Sequence, residues 1–166
     1  MFKQIILPIL AVVIFIIIVG LFVQKSSSLG LSALKTPTPQ SEKTIAVGSK
    51  KIQVQIAETA EKRTKGLSGV ASLKADSGML FMFDAKGLAP IFWMKDMLIP
   101  LDMIWIRDGK IVKIDKNVPI PTPGTPENGL KTYSAGQTVD YVLEVNAGFS
   151  NQNNIKVGDS VDLSGI

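Results

Sequence analysis

The chain has 166 residues, room for one domain and an appendage, with 18 basic and 14 acidic residues and a formal net charge of +4. Cysteine and histidine are both absent, which excludes disulfides, thiolate nucleophiles, Cys/His zinc sites and any Ser-His-Asp arrangement. Residues 44–166 carry 14 basic and 13 acidic residues, so the excess charge belongs to the amino-terminal part and gives no reason to expect nucleic acid as a partner.

Ile5 to Val23 is a run of 19 residues without a charge. As a helix it would span roughly 28 Å, about the hydrocarbon thickness of a bilayer. Lys3 precedes it, Lys25 follows it, and Pro8 falls in the first turn, where a missing donor matters least. A secretory signal has a shorter apolar core, about 7–15 residues, and a small-residue cleavage site. Ser26-Ser27-Ser28 and Ser32-Ala33 match such a site only loosely. Residues 1–25 therefore read as an uncleaved signal anchor, a single transmembrane helix whose partner is the membrane through residues 5–23. The alternative is secretion after cleavage. The positive amino end favours a domain on the extracytoplasmic side of the cell membrane. Residues 26–43, with Thr-Pro-Thr-Pro-Gln-Ser-Glu at 36–42, form a Ser/Thr/Pro linker with little to bury. The folded domain is expected over residues 44–166.

Ile45, Val47, Ile52, Val54 and Ile56 alternate with polar residues around Gly48-Ser49, the pattern of a hairpin with one buried face. Glu58 to Lys65 tolerates a helix whose start lacks a capping-box glutamate after Thr59, and Gly66 and Gly69 suggest its stop. Met79 to Phe83 is apolar throughout, as expected of a strand buried on both faces. Phe92–Met94 and Met103–Ile106 read as strands joined by a Lys95–Asp102 turn around Pro100. Arg107-Asp108-Gly109-Lys110 is a hairpin signal leading into a strand over Lys110–Asp115. Pro119, Pro121, Pro123 and Pro126 exclude a sheet interior and predict a stiff loop. Val139 to Val145 alternates, with Val139, Tyr141, Leu143 and Val145 expected on one face. A short helix near Ala147–Asn154 and a closing strand complete the chain. The sum is an α+β, mostly β domain, a small curled antiparallel or mixed sheet or barrel with one or two short helices.

Several stretches together resemble one family. Arg63-Thr-Lys-Gly66-Leu67, Gly78-Met-Leu-Phe81-x-Phe83, Phe92-Trp93-Met94-Lys-Asp96, Ile99-Pro100-Leu101-Asp102, Gly109-x-Ile111, Tyr141-Val-Leu-Glu144-x-x-Ala-Gly148 and Gly158-Asp159 are similar to DUF192, also called UPF0127. The resemblance runs from about residue 45 to 164. It implies a compact, mostly β fold, often exported or membrane-tethered, with no settled activity. Two positions depart from the family pattern. Ser68 stands where a methionine usually follows Gly-Leu, and Asp96 where asparagine is common.

Arg63, Asp96, Asp102 and Glu144 are the candidate polar site residues, around a pocket walled by Phe92, Trp93 and Met94. In a functional site the carboxylates would share a proton, bind a hard cation or act as acid and base. In a structural role Asp102 would accept backbone donors while Arg63 clamps it bidentately. Trp93 and Trp105 are expected in the core, each burying about 150–250 Å². No cofactor is implied. The function expected is a membrane-tethered binding or accessory module of the cell envelope, engaging a small ligand or an envelope component. The alternatives are a hydrolase or lyase using Asp96, Asp102 or Glu144, and a purely structural envelope protein.

Overall fold

A computed structural model describes residues 42–83 and 87–166. The span expected to cross the membrane, residues 5–23, lies outside the described residues. Among the described residues no helix is long and apolar enough to cross a membrane.

Among the described residues nine strands and two short α-helices follow one another, with one 3-10 turn (Glu127–Gly129) before β7: β1 (Lys43–Val47), β2 (Lys50–Ala57), α1 (Ala60–Lys65), β3 (Ser77–Met82), β4 (Phe92–Trp93), β5 (Leu101–Arg107), β6 (Lys110–Val118), β7 (Thr132–Tyr133), β8 (Tyr141–Asn146), α2 (Phe149–Gln152) and β9 (Val161–Asp162). Seven strands make one sheet in the order β6-β5-β8-β3-β2-β1-β9, and β4 pairs with β7 apart from it. β2 and β3 run parallel, while their other neighbours in the sheet are antiparallel. A parallel pair needs a crossover, and the segment carrying α1 supplies it. At the far edges Lys110 bridges Ser160, Ile111 N donates to Asp159 O (3.0 Å) and Val161 N to Gly109 O (2.8 Å). The sheet therefore curls until β6 almost meets β9.

Two cores result, one on each face. The inner core takes Ile45, Val47, Ile52, Val54, Leu80, Ile104, Ile106, Leu143 and Val145 from successive strands, closed at one end by Phe149 of α2. The outer core lies on the other face of β3, β5 and β8. There Met79, Phe81, Met103, Trp105 and Val142 are covered by Leu67, Met94, Met97 and Tyr133 from the connections. β3 has apolar neighbours on both faces, which is why Met79-Leu80-Phe81 shows no alternation.

The hairpin turns follow their sequence signals. Asp108 (φ 51°) and Gly109 (φ 67°) are both left-handed, as a type I′ turn between β5 and β6 requires. Thr59 caps α1 without a capping-box glutamate, accepting Lys62 N at 3.2 Å, and Gly66 at φ 48° ends the helix.

Three expectations are corrected. Asp102 is not in the Pro100 turn but is the second residue of β5, which already starts at Leu101. Val139 does not share a face with Tyr141 and Leu143: it bridges Leu88 and lies in the outer core, because pairing with β5 and β3 begins only at Tyr141. Trp93 is not core but 45% exposed, since β4 is two residues long and lies outside the main sheet, whereas Trp105 in β5 is fully buried.

Candidate functional site

Glu144 sits in the middle of β8, level with Met79 of β3 on one side and Met103 of β5 on the other. Along β8, Leu143 and Val145 point to the inner core, so Glu144 points to the outer one with Val142. It is 4% exposed. Among the described residues nothing hydrogen-bonds or ion-pairs with its carboxyl. Burial among apolar side chains disfavours the charged form, and it pushes the Glu144 carboxyl up to about 8. At neutral pH this group is therefore a neutral carboxylic acid.

The Glu144 carboxyl lines a cleft of about 280 Å³. Phe81, Phe83, Phe92 and Trp93 wall it, and Arg63 and Lys65 stand at its mouth. The rings are ordered by edge-to-face contacts, Phe81 on Phe92 at 4.8 Å and Phe92 on Trp105 at 5.5 Å. α1 places the mouth. Arg63 Nη1 donates to Glu58 O and Met82 O, both at 2.7 Å, and its guanidinium lies over the Phe83 ring at 5.9 Å. Gly78 lets β3 lie close against β8: a Cβ there would come within 2.5 Å of Glu144 O and 2.9 Å of Val145 Cγ1.

The other candidates lie elsewhere. Asp102 is fully buried on the inner face of β5, where Asn117 N (2.8 Å) and Gly148 N (3.0 Å) donate to Oδ1 and Ser150 N (2.9 Å) to Oδ2. The expected Arg63–Asp102 clamp is not formed, because Arg63 serves the outer face and Asp102 the inner one. Backbone donors do the work assigned to the arginine. Asp96 has a left-handed backbone (φ 56°), a conformation that suits Asp and Asn. Its carbonyl accepts Gly69 N at 2.9 Å, and Ser68 Oγ donates to Lys95 O at 2.9 Å. The Asp96 turn is thereby stitched to the end of α1, and Asp96 borders a separate hollow with Lys95, Glu127 and the far side of Trp93. Met94 is buried and lines a further hollow under the proline loop with Pro119 and Tyr133. The proline loop is therefore not a rim of the Glu144 cleft.

Of the seven residues named from sequence, the cleft gathers four: Arg63, Phe92, Trp93 and Glu144. Phe81 and Phe83 read as core strand in the sequence, yet both line the cleft. Their i, i+2 spacing, one strand face pointing to the same side as Glu144, is the signal that could have found them. Asp96, Asp102 and Glu144 occupy three different places, so no two of them face each other across one cleft, as acid–base chemistry by a carboxylate pair requires. Among the described residues no three acidic side chains gather as metal ligands.

No curated protein matches the chain. Solved structures share its fold. A candidate transcription regulator from Sinorhizobium meliloti 1021 superposes with a TM-score of 0.69 at 26% identity, over 78% of this chain and 98% of that one. A protein of unknown function from Novosphingobium aromaticivorans DSM 12444 gives 0.67 at 23% identity, over 82% of this chain and 96% of that one. The family model described as DUF192, Uncharacterized ACR, matches residues 43–163, which covers both cores and the Glu144 cleft, and the chain belongs to that family.

Proposed function

We propose that this chain is a membrane-tethered accessory protein whose DUF192 domain binds a small ligand, or a small group on an envelope component, in the Glu144 cleft. The observation that carries this reading is a carboxyl with no partner among the described residues, only 4% exposed yet lining an open cleft with an aromatic wall. A carboxyl that has no partner among the described residues and opens onto a cavity is placed for something that arrives. The tether rests on the uncharged Ile5–Val23 run and the Thr-Pro linker that follows. The flanking charges favour the extracytoplasmic side. The near balance of charge over residues 44–166 argues against nucleic acid as the partner.

Both halves are testable with the full chain. Deleting residues 1–25 should move the protein from the carbonate-washed membrane pellet to the supernatant, and recovery of the intact chain in the supernatant without detergent would end the tether. A thermal-shift screen of small metabolites in detergent should yield compounds that stabilise the wild type and lose their effect in Trp93→Ala. Compounds that stabilise both forms equally would place the binding site elsewhere.

A further inference from the structure

We infer that the cleft takes a small organic ammonium group, seated against the Glu144 carboxylate and the faces of the surrounding aromatic rings. This rests on the cleft being the binding site. Three observations point to a cation rather than a neutral or anionic group. First, among the described residues the only acid lining the cleft is Glu144, and it has no donor of its own there. Second, the wall is built from Phe81, Phe83, Phe92 and Trp93, whose faces attract cations. That wall already holds one, the Arg63 guanidinium over Phe83 at 5.9 Å. Third, the volume of about 280 Å³ sits at the small end of ligand pockets and suits a single ring or short chain with its head group.

Among the described residues the charged groups lining the cleft besides Glu144 are Arg63 and Lys65, both from α1; β3 and β4 contribute only the aromatic side chains Phe81, Phe92 and Trp93 to it. Burial alone moves the Glu144 carboxyl up, and neither cation offsets it. They leave the seat beside Glu144 for an incoming cation. A hard metal ion would need several oxygen ligands with more than one carboxylate among them; among the described residues only the Thr64 and Ser68 hydroxyls join Glu144 in lining the cleft as side-chain oxygens, and no second acid does.

The exchange balances as one proton for one ligand. The carboxylic acid releases its proton to solvent, and the ammonium N–H groups donate to the carboxylate that remains. Binding is therefore weaker at low pH. Affinity for an ammonium rises about tenfold per pH unit up to pH 7 and levels off above pH 8.

The experiment titrates the full chain in detergent with three isosteric probes at millimolar concentration: benzylammonium, benzyl alcohol and benzoate. The expected result is that benzylammonium binds at least tenfold more tightly than either of the others at pH 7.5. Titration in two buffers of different ionisation enthalpy should report close to one proton released per ligand at pH 6. Glu144→Gln should lower benzylammonium affinity at least tenfold and flatten its pH dependence while leaving benzyl alcohol unchanged. Tighter binding of benzyl alcohol or benzoate, or ammonium binding without proton release, would overturn the ammonium assignment and leave the cleft as a site. Failure of all three probes to bind would remove the assignment and the cleft reading together.

Discussion

Asp102 Oδ1 accepts the backbone N–H of Gly148 at 3.0 Å, and this bond ties the start of β5 to the turn that launches α2. Gly148 is left-handed (φ 84°), and so is Asn117 (φ 51°), whose N–H the same oxygen accepts. One carboxylate thus fixes two unusual backbone positions and the first turn of a four-residue helix too short to hold itself. Asp102→Ala would leave three donors without partners, at about 1–3 kcal/mol each when buried. The expected loss is about 3 kcal/mol or more in urea unfolding. Asp102→Asn keeps one acceptor oxygen and should lose about 1–3 kcal/mol, chiefly at Ser150 N. A variant as stable as wild type would show that the network is not structural.

Glu144 makes stability depend on pH in the opposite sense to a paired carboxylate. Its pKa rises from an ordinary 4.5 to about 8 in the folded state. Between these values the folded protein holds a proton that the unfolded chain has released, so unfolding becomes easier as pH rises. Stability should be highest with respect to this group below pH 4.5, fall by up to about 1.4 kcal/mol per pH unit through the window, and level off above pH 8. Glu144→Gln carries no such charge. It should flatten the profile and exceed the wild type in stability at pH 9, as read by chemical denaturation at a series of pH values. Parallel profiles for the two proteins would contradict this.

Gly78 tests the close approach of β3 to β8. A methyl group at 2.5 Å from Glu144 O has no flexible neighbour to displace, because the contact is backbone. Gly78→Ala should destabilise the domain by about 1–3 kcal/mol and separate the two strands locally. Amide exchange at Val142 to Val145 should speed up in the variant, and unchanged exchange would deny the contact.

The two tryptophans should separate spectroscopically. Trp105 is fully buried and donates Nε1–H to Asp115 Oδ2 at 2.8 Å, whereas Trp93 is half exposed at the cleft mouth. Trp93→Ala should leave a blue-shifted emission resistant to acrylamide and change folding stability by less than about 1 kcal/mol. Loss of the buried emission instead would exchange the two assignments.

Much of this architecture is legible in the residues. The Asp108-Gly109 turn, the alternation of β1 and β2, the two-faced burial of Met79 to Phe83 and the mostly β class follow from local pattern. What local pattern does not carry is which face of the sheet a side chain joins. Asp102 and Arg63 read as partners because both are polar residues in apolar company, and only the curl of the sheet puts them on opposite sides. Trp93 reads as core because large aromatics usually are. Its exposure follows from a two-residue strand that pairs with β7 instead of the main sheet, a long-range pairing that no local pattern carries. Glu144 was visible as a carboxylate in an apolar strand. That no described residue partners it follows only from the positions of α1 and β4.

The measurement that reaches the centre of this account is the carboxyl carbon resonance of Glu144, followed by NMR across pH in the ligand-free protein. The expected result is a single titration with its midpoint near 8. A midpoint in the ordinary range near 4.5 would mean that the carboxyl is solvated or paired, and the cleft would lose the unpartnered acid on which its binding role is built.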